Sequence, residues 1–319
     1  MKLEGIHHIT AITGDAPGNV EFYAGVLGLR LVKKTVNQDD PTVYHLFYAD
    51  EAGSPGADLT FFEYPGVGRG SAGAGMVHRI VWRVASEEAL DFWADRLLAE
   101  GIEADRKPGR LDFSDPEGLD LSLQVASPVD APLIADHPEI PAELALQGFD
   151  SVRAYTFDPE RSRGFLEQTL GFRPAGPIGL TGSTGADPGH GFESRGERRG
   201  SFYVYDEAPG RGIPGAGTVH HVAWASPMED HDAWQRRLVE AGARPTPVID
   251  RFYFRSIYFR EPSGVLFEIA TIGPGFATDE AKGHLGESLS LPPAFEHLRG
   301  ELAQVLTPLP DPRRDRVSR

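Results

Sequence analysis

Along the chain, the spacing of apolar positions changes in the same way four times. Four short segments rich in β-branched residues read as strands: Gly5-Ile6-His7-His8-Ile9-Thr10, Gly75-Met76-Val77-His78-Arg79-Ile80, Gly148-Phe149-Asp150-Ser151-Val152-Arg153 and Gly217-Thr218-Val219-His220-His221-Val222. Helical spacing follows each, as in Leu90, Trp93 and Leu97 or Trp234 and Leu238, with Gly28, Gly101, Gly171 and Gly242 placed to end the helices. Ser86 and Asp158 are predicted N-caps, the latter followed by Pro159, and Ser226-Pro227 repeats that arrangement. Strand-like runs come next, joined in two repeats by matching turns, Asp115-Pro116-Glu117-Gly118 and Glu261-Pro262-Ser263-Gly264. Each unit therefore reads βαβββ, and the expected class is α+β.

The four modules group into two tandem domains, expected at residues 1–125 (modules one and two) and 147–273 (modules three and four), with a C-terminal extension from 274 to 319. The proline- and acid-rich stretch 126–146 is the expected linker. Glycine-dense stretches at 66–75 and 179–200 predict surface loops. An amphipathic segment from Pro293 to Val305 precedes a basic tail whose end is expected to be disordered.

Composition narrows the function. Apolar residues make up 40% and charged residues 24%, no 18-residue apolar run is present, and the N-terminus lacks an apolar leader core, so a soluble cytoplasmic protein is expected. The absence of cysteine excludes disulfides, thiolate metal sites and cysteine nucleophiles, leaving His, Asp and Glu to bind any metal. A net charge of −16 argues against nucleic acid. The partners expected are small molecules, with neither nucleic acid nor membrane, and assembly into a homo-oligomer stays open.

In the last strand of module four, Glu268 has apolar neighbours on both sides, and a carboxylate there needs a cation, hydrogen bonds or solvent. First-strand positions carry His8, His78, Ser151 and His221; last-strand positions carry Thr60, Ser122, no clear ligand in module three, and Glu268. If modules one and four face each other, His8, His221 and Glu268 meet as two histidines and one carboxylate, the facial triad of non-haem iron(II) oxygenases. Other pairings leave the set incomplete. His78 is then a structural histidine, and on ideal strands His7 and His220 point away from the site, leaving structural or supporting roles.

At these residues the sequence resembles the vicinal oxygen chelate superfamily, and within it the ring-cleaving dioxygenases that include the hydroquinone and chlorohydroquinone 1,2-dioxygenases. The resemblance rests on Gly5-Ile6-His7-His8-Ile9-Thr10, Phe22-Tyr23, Tyr44-His45-Leu46-Phe47-Tyr48-Ala49-Asp50, Gly53-Ser54-Pro55-Gly56, Val219-His220-His221, Pro262-Ser263-Gly264-Val265-Leu266-Phe267-Glu268 and Leu285-Gly286-Glu287-Ser288-Leu289. It implies iron(II) held by His8, His221 and Glu268, and a non-haem extradiol-type dioxygenase acting on a hydroxylated aromatic and dioxygen. It also implies active-site roles for Arg251, Tyr258, His7, Thr10 and His220. Two rival readings share the fold: a glyoxalase-like isomerase or lyase, against which Thr60 and Ser122 count because it calls for a second carboxylate, and a metal-free small-molecule binder.

Overall fold

The computed structural model describes residues 1–179 and 189–313. Module one runs β1 (Ile6–Thr13), α1 (Ala16–Val20) continued by a π-helical turn, β2 (Arg30–Asn37), β3 (Asp40–Ala49) and β4 (Asp58–Glu63). Module two runs β5 (Met76–Val84), α2 (Glu87–Ala99), β6 (Ala104–Lys107), β7 (Arg110–Ser114) and β8 (Asp120–Val125). Module three runs β9 (Phe149–Thr156), α3 (Glu160–Gly164) with its own π-helical turn, β10 (Arg173–Ile178), β11 (Gly189–Arg195) and β12 (Gly200–Glu207). Module four runs β13 (Val219–Ser226), α4 (His231–Glu240), β14 (Ile249–Asp250), β15 (Arg255–Arg260) and β16 (Leu266–Thr271). Residues between β8 and β9 form neither strand nor helix.

Local chemistry accounts for the helix ends. The Ser86 hydroxyl accepts from Ala89 N at the start of α2, and Ala89, Leu90, Trp93 and Leu97 bury one stripe of that helix. Asp158 Oδ1 accepts from Glu160 N as α3 begins. Ser226 does not cap, contrary to expectation: its hydroxyl donates to Pro227 O, and a 3₁₀ turn at Met228–Asp230 starts α4 instead.

Two eight-stranded sheets result, ordered β14-β15-β16-β13-β1-β4-β3-β2 and β10-β11-β12-β9-β5-β8-β7-β6. Modules one and four build the first and modules two and three the second, so each sheet draws one module from each half of the chain. At both centres the opening strands pair antiparallel, β1 with β13 and β5 with β9, and each also pairs parallel with the last strand of its own module. One apolar core runs through both sheets, from Ile9, Phe61 and Trp224 to Trp82, Leu121 and Val152.

The stretch 179–200 departs from the expected loop. Residues 189–195 form β11, which pairs with β10 and β12; residues 180–188 of that stretch, like the tail at 314–319, lie outside the described residues. Its glycines serve packing there. A Cβ on Gly191 would meet the Ile178 side chain at 2.3 Å, and one on Gly189 would meet Tyr205 O at 2.6 Å.

The C-terminal extension packs on the edge strand β2. Leu289 bridges to Lys34, and Leu302 of α5 (Arg299–Val305) buries against Val36 and Leu291. Lys33, fully buried, bonds Asp279 at 2.7 Å and Glu280, while the Tyr253 hydroxyl donates to Asp279 at 2.9 Å. The extension thereby grips two segments that also wall the cavity described below. No helix among the described residues is long and apolar enough to cross a membrane.

Gly286 is where the extension passes closest to β2. Its φ of 74° favours glycine, and a Cβ would lie 1.7 Å from Leu31 O. Gly286→Ala is expected to destabilise the protein by more than about 1 kcal/mol, since the substitution is incompatible with the native backbone. The check is a lowered Tm with faster proteolytic release of the segment after β16; an unchanged melt with unchanged proteolysis would contradict this docking.

Candidate metal centre

Two β-bulges shape the middle of the first sheet. Ile6 pairs with Trp224 but His8 with Ala223, so His7 is an extra residue on β1; Thr10 pairs with His221 but Ala11 with Val219, so His220 is extra on β13. Neither residue therefore follows the alternation of an ideal strand. Instead of lying on the far face, His7 Nδ1 sits 2.9 Å from His8 Nδ1, and His220 Nδ1 sits 2.8 Å from His221 Nδ1.

The bulges also correct the equivalence of the modules. In the second sheet the extra residues are His78 on β5 and Asp150 on β9, so His78 matches His7 and His220, while Arg79 and Ser151 match His8 and His221. Glu268 lies beside Ala223, two residues beyond His221; the corresponding places hold Thr60 beside Thr10, Ser122 beside Val81 and Val204 beside Arg153. Among the described residues the second sheet thus offers no set of ligands. The Arg79 guanidinium donates to Ser122 Oγ at 2.9 Å and lies 3.1 Å from Asp120. His78 bonds Asp206 at 2.8 Å and stacks on Tyr155, consistent with a structural role.

In the first sheet His8, His221 and Glu268 converge. His8 Nε2 and His221 Nε2 are 3.3 Å apart, and Glu268 Oε2 is 3.2 Å from the first and 2.9 Å from the second. Ligands in cis positions, with bonds of about 2.1 Å, stand about 3 Å from one another, so this triangle has the dimensions of one face of a metal's coordination sphere. Glu268 is wholly buried, and neither of its oxygens has a hydrogen-bond partner because the imidazole nitrogens approach off direction. Leaving a carboxylate so costs several kcal/mol. Burial alone would raise the Glu268 pKa, but His8 and His221 hold it well below the usual carboxylate range, so the site carries one fixed negative charge. These residues fit a divalent cation.

Hydrogen bonds set the histidine tautomers. His7 Nε2 is 3.1 Å from Thr271 O, which only accepts, so that nitrogen carries hydrogen. Burial, with His8 nearby, pushes the His7 pKa down to about 3; the ring is neutral and its Nδ1 accepts from His8 Nδ1–H. His8 Nε2 is then left as a bare lone pair facing the triangle, the form a metal requires. Burial likewise lowers His220 to about 4 and lowers His221. Asp58, grouped with His7 and His8, is buried with both oxygens unpartnered, and burial, with Asp50 nearby, pushes its pKa well above the usual carboxylate range.

A cavity opens beside the triangle, with His8, His221 and Thr10 among its lining residues. Thr35 and Asn37 of β2, His45 and Phe47 of β3, and Phe62 of β4 form one wall; Arg251, Tyr253, Phe254 and Tyr258 form the other. The edges of the sheet therefore curl toward each other, and they touch. Gln38 donates to Arg251 O at 2.8 Å, and the Arg251 guanidinium holds Asp39 with bonds of 3.2 and 3.0 Å. Phe252 at φ 70°, next in the chain, is a non-glycine residue in the left-handed region whose N–H donates to Asp250, a strained turn at the rim.

Of the other residues named from the sequence, Thr10, Arg251 and Tyr258 line the cavity, while His7 and His220 contact His8 and His221 without lining it. Arg251 lies 5.6 Å over the Tyr258 ring, whose centroid is 5.5 Å from that of His221; burial, then Glu268, raises the Tyr258 pKa, so its hydroxyl remains protonated. Burial opposes the charge on Arg251, but Asp39 and Tyr258 together outweigh it and raise its pKa. Thr10 Oγ1 is 3.0 Å from His221 Nε2 and accepts from Thr60 at 2.9 Å. Sequence reasoning missed His45, Asp58 and the Asn37–Asp39 hairpin tip. For His45 a signal existed: with Phe47 it occupies the β3 face opposite Tyr44, Leu46 and Tyr48, which belong to the core.

Comparison with known proteins identifies the family. The family model for the glyoxalase/bleomycin resistance protein/dioxygenase superfamily matches residues 5–121 and 148–269. MhqA of Bacillus subtilis (strain 168), provisionally named a ring-cleaving dioxygenase, is 38% identical over 97% of this chain and 100% of its own. The chlorohydroquinone/hydroquinone 1,2-dioxygenase of Sphingobium indicum (strain UT26S among its designations) is 33% identical over 96% of each chain. A crystal structure of a provisionally named Bacillus subtilis dioxygenase superposes with a TM-score of 0.88 at 39% identity, covering 97% of this chain and 98% of that one. A mutant of maize glyoxalase I superposes at 0.59 with 16% identity over 84% and 92%, a likeness of fold alone. With two family-model matches across most of its length and full-length relatives above 30% identity, the chain belongs to the glyoxalase/bleomycin resistance protein/dioxygenase superfamily, among its ring-cleaving dioxygenases.

Proposed function

We propose that the protein is an iron(II)-dependent, extradiol-type dioxygenase that opens a hydroquinone- or catechol-type ring, with the metal held by His8, His221 and Glu268. The observation that carries this reading is the triangle of two imidazole nitrogens and an orphaned buried carboxylate oxygen, with edges of 2.9, 3.2 and 3.3 Å, in a protein whose full-length relatives are named for ring cleavage. Held by these three residues, iron(II) would supply the chemistry that couples an electron-rich hydroxylated ring to dioxygen.

The chain's own residues do the rest. Phe47, Phe62 and Phe254 give the cavity flat apolar walls that suit an aromatic ring. Arg251 places a fixed positive charge at the rim, where it offsets negative charge developing on ring or oxygen, and the Tyr258 hydroxyl is a protonated donor beside His221. His7 and His220 hold the neighbouring imidazoles in orientation through their Nδ1 contacts. An isomerase would need a further carboxylate where Thr60 stands, and a metal-free binder would leave Glu268 buried without a partner.

Iron-loaded protein is expected to consume one dioxygen per ring opened with at least one member of a panel of hydroquinones and catechols, measured with an oxygen electrode against product formation. No uptake across the panel would remove the reading. Metal analysis tests the assignment of ligands: His8→Ala is expected to lose iron although His221 and Glu268 lie in the other half of the chain, whereas His78→Ala should keep it. Retention of iron in the first, or its loss in the second, would contradict the assignment. Arg251→Ala and Tyr258→Phe are expected to keep iron while turnover falls on the order of 10–100-fold, as for other groups outside the ligand set; iron loss in either would move that residue into the ligand set.

A further inference from the structure

We propose that Asn37 is a specificity-determining residue, whose side-chain amide donates a hydrogen bond to a ring oxygen remote from the metal triangle. The inference rests on the ring-binding reading above and adds to it the residue that selects the ring's second oxygen.

Three observations carry it. Asn37 and Thr35 share the cavity face of β2, because Val36 between them packs against Leu291 and Leu302 of the extension. Asn37 is only 5% exposed, so its surroundings are the cavity and the hairpin tip. The tip also fixes which way the amide faces: Asp39 N–H donates to Asn37 Oδ1 at 2.9 Å, so the amide atom turned away from the turn is Nδ2, which can only donate. Among the described residues Nδ2 meets no acceptor, and it is not sealed off as the Thr35 hydroxyl is, so its hydrogens open on the cavity.

The place of Asn37 in the sheet decides which oxygen it meets. In the order β1-β4-β3-β2, Asn37 stands three strands from His8, so the triangle and the amide address opposite ends of a bound ring. An oxygen adjacent to one held at the triangle stays beside His8 and His221; the oxygen that reaches β2 is further round the ring. Other neutral donors on the walls are engaged: the Gln38 amide donates to Arg251 O and the Tyr253 hydroxyl to Asp279. A ring entering the cavity expels the water that would otherwise accept from Nδ2. An oxygen at that position replaces the lost bond, whereas a bare C–H leaves a buried donor unpaired, and most of the discrimination comes from that penalty.

The test measures binding without turnover, by calorimetric titration of phenol, resorcinol and hydroquinone into the full-length, iron-loaded protein under nitrogen. The wild type is expected to bind resorcinol or hydroquinone about 3–10-fold more tightly than phenol, the size of one neutral hydrogen bond. In Asn37→Ala that ratio should fall to about one. A merely disturbed hairpin would weaken all three rings alike and leave the ratio as it was. Asn37→Asp, which still accepts from Asp39 N–H, should recover the ratio, since a ring hydroxyl can turn round and donate to the carboxylate. Equal binding of the three rings by the wild type, a ratio that survives in Asn37→Ala, or an aspartate variant without it overturns the proposal. A wild type that binds none of the rings defeats the ring-binding reading instead.

Discussion

A carboxylate cannot stand unpaired in the middle of an apolar sheet, and that constraint at Glu268 orders much of this molecule. Phe267 and Ile269, its neighbours on β16, belong to the core, so strand alternation turns Glu268 to the opposite, concave face, where no protein group directs a hydrogen bond to it. What compensates it must come from β1 and β13, and the parallel pairing of β13 with β16 sets Glu268 beside Ala223, two residues past His221. The antiparallel pairing of β13 with β1 then brings His8 to the same place from the other half of the chain. The site is therefore a property of the sheet and of no single module, since each of its two central strands contributes one imidazole.

The second sheet shows the same frame meeting the constraint differently. It keeps both bulges and both parallel pairings, yet Ser122 and Val204 replace the carboxylate and Arg79 replaces an imidazole. The arginine brings its own positive charge, satisfied by Ser122 and Asp120, so nothing there calls for an added cation. One backbone thus carries a convergent metal-type cluster at one centre and a protein ion pair at the other. The difference lies in three or four side chains, so an argument about function has to rest on those positions, the fold being common to both.

How much of this was legible in the sequence depended on whether local rules governed it. The repeated βαβββ pattern and the glycine helix ends at Gly28, Gly101, Gly171 and Gly242, all at positive φ, follow from short-range chemistry and could be read directly. His8, His221 and Glu268 could be found because complementarity among the modules permitted only one complete set. His78 was matched to the wrong neighbours because counting residues from the module's opening does not register a bulge. The clue was present: His8 is three residues past Gly5, while His221 is four past Gly217. The stretch 179–200 misled for another reason, since glycines usually mark turns, whereas Gly189 and Gly191 are needed where neighbouring strands press close. His45 and Asp39 belong to the cavity only because the edges of the sheet curl together, a tertiary consequence that periodicity does not encode.

That curl is held from outside the sheet. The hairpin tip and the segment before β15 meet through Gln38, Asp39 and Arg251, but these contacts lie at the rim, and the Asp39 carboxylate is largely exposed, so the ion pair contributes little by itself. The buried connection runs deeper. Lys33 on β2 bonds Asp279 and Glu280 of the extension, and Asp279 in turn accepts from Tyr253, a cavity-wall residue directly after the strained Phe252. With the Lys33 ammonium 4.8 Å over the Tyr253 ring, β2, the extension and the opposite wall share one charged cluster. Strained backbone persists only where its surroundings over-determine it, and this cluster, with Gly275 N–H donating to Tyr253 O at 2.8 Å, supplies that support. The C-terminal extension is accordingly part of the site's architecture: it fixes the segment from which Arg251, Tyr253 and Phe254 reach the cavity, and so sets the position of the wall facing His45.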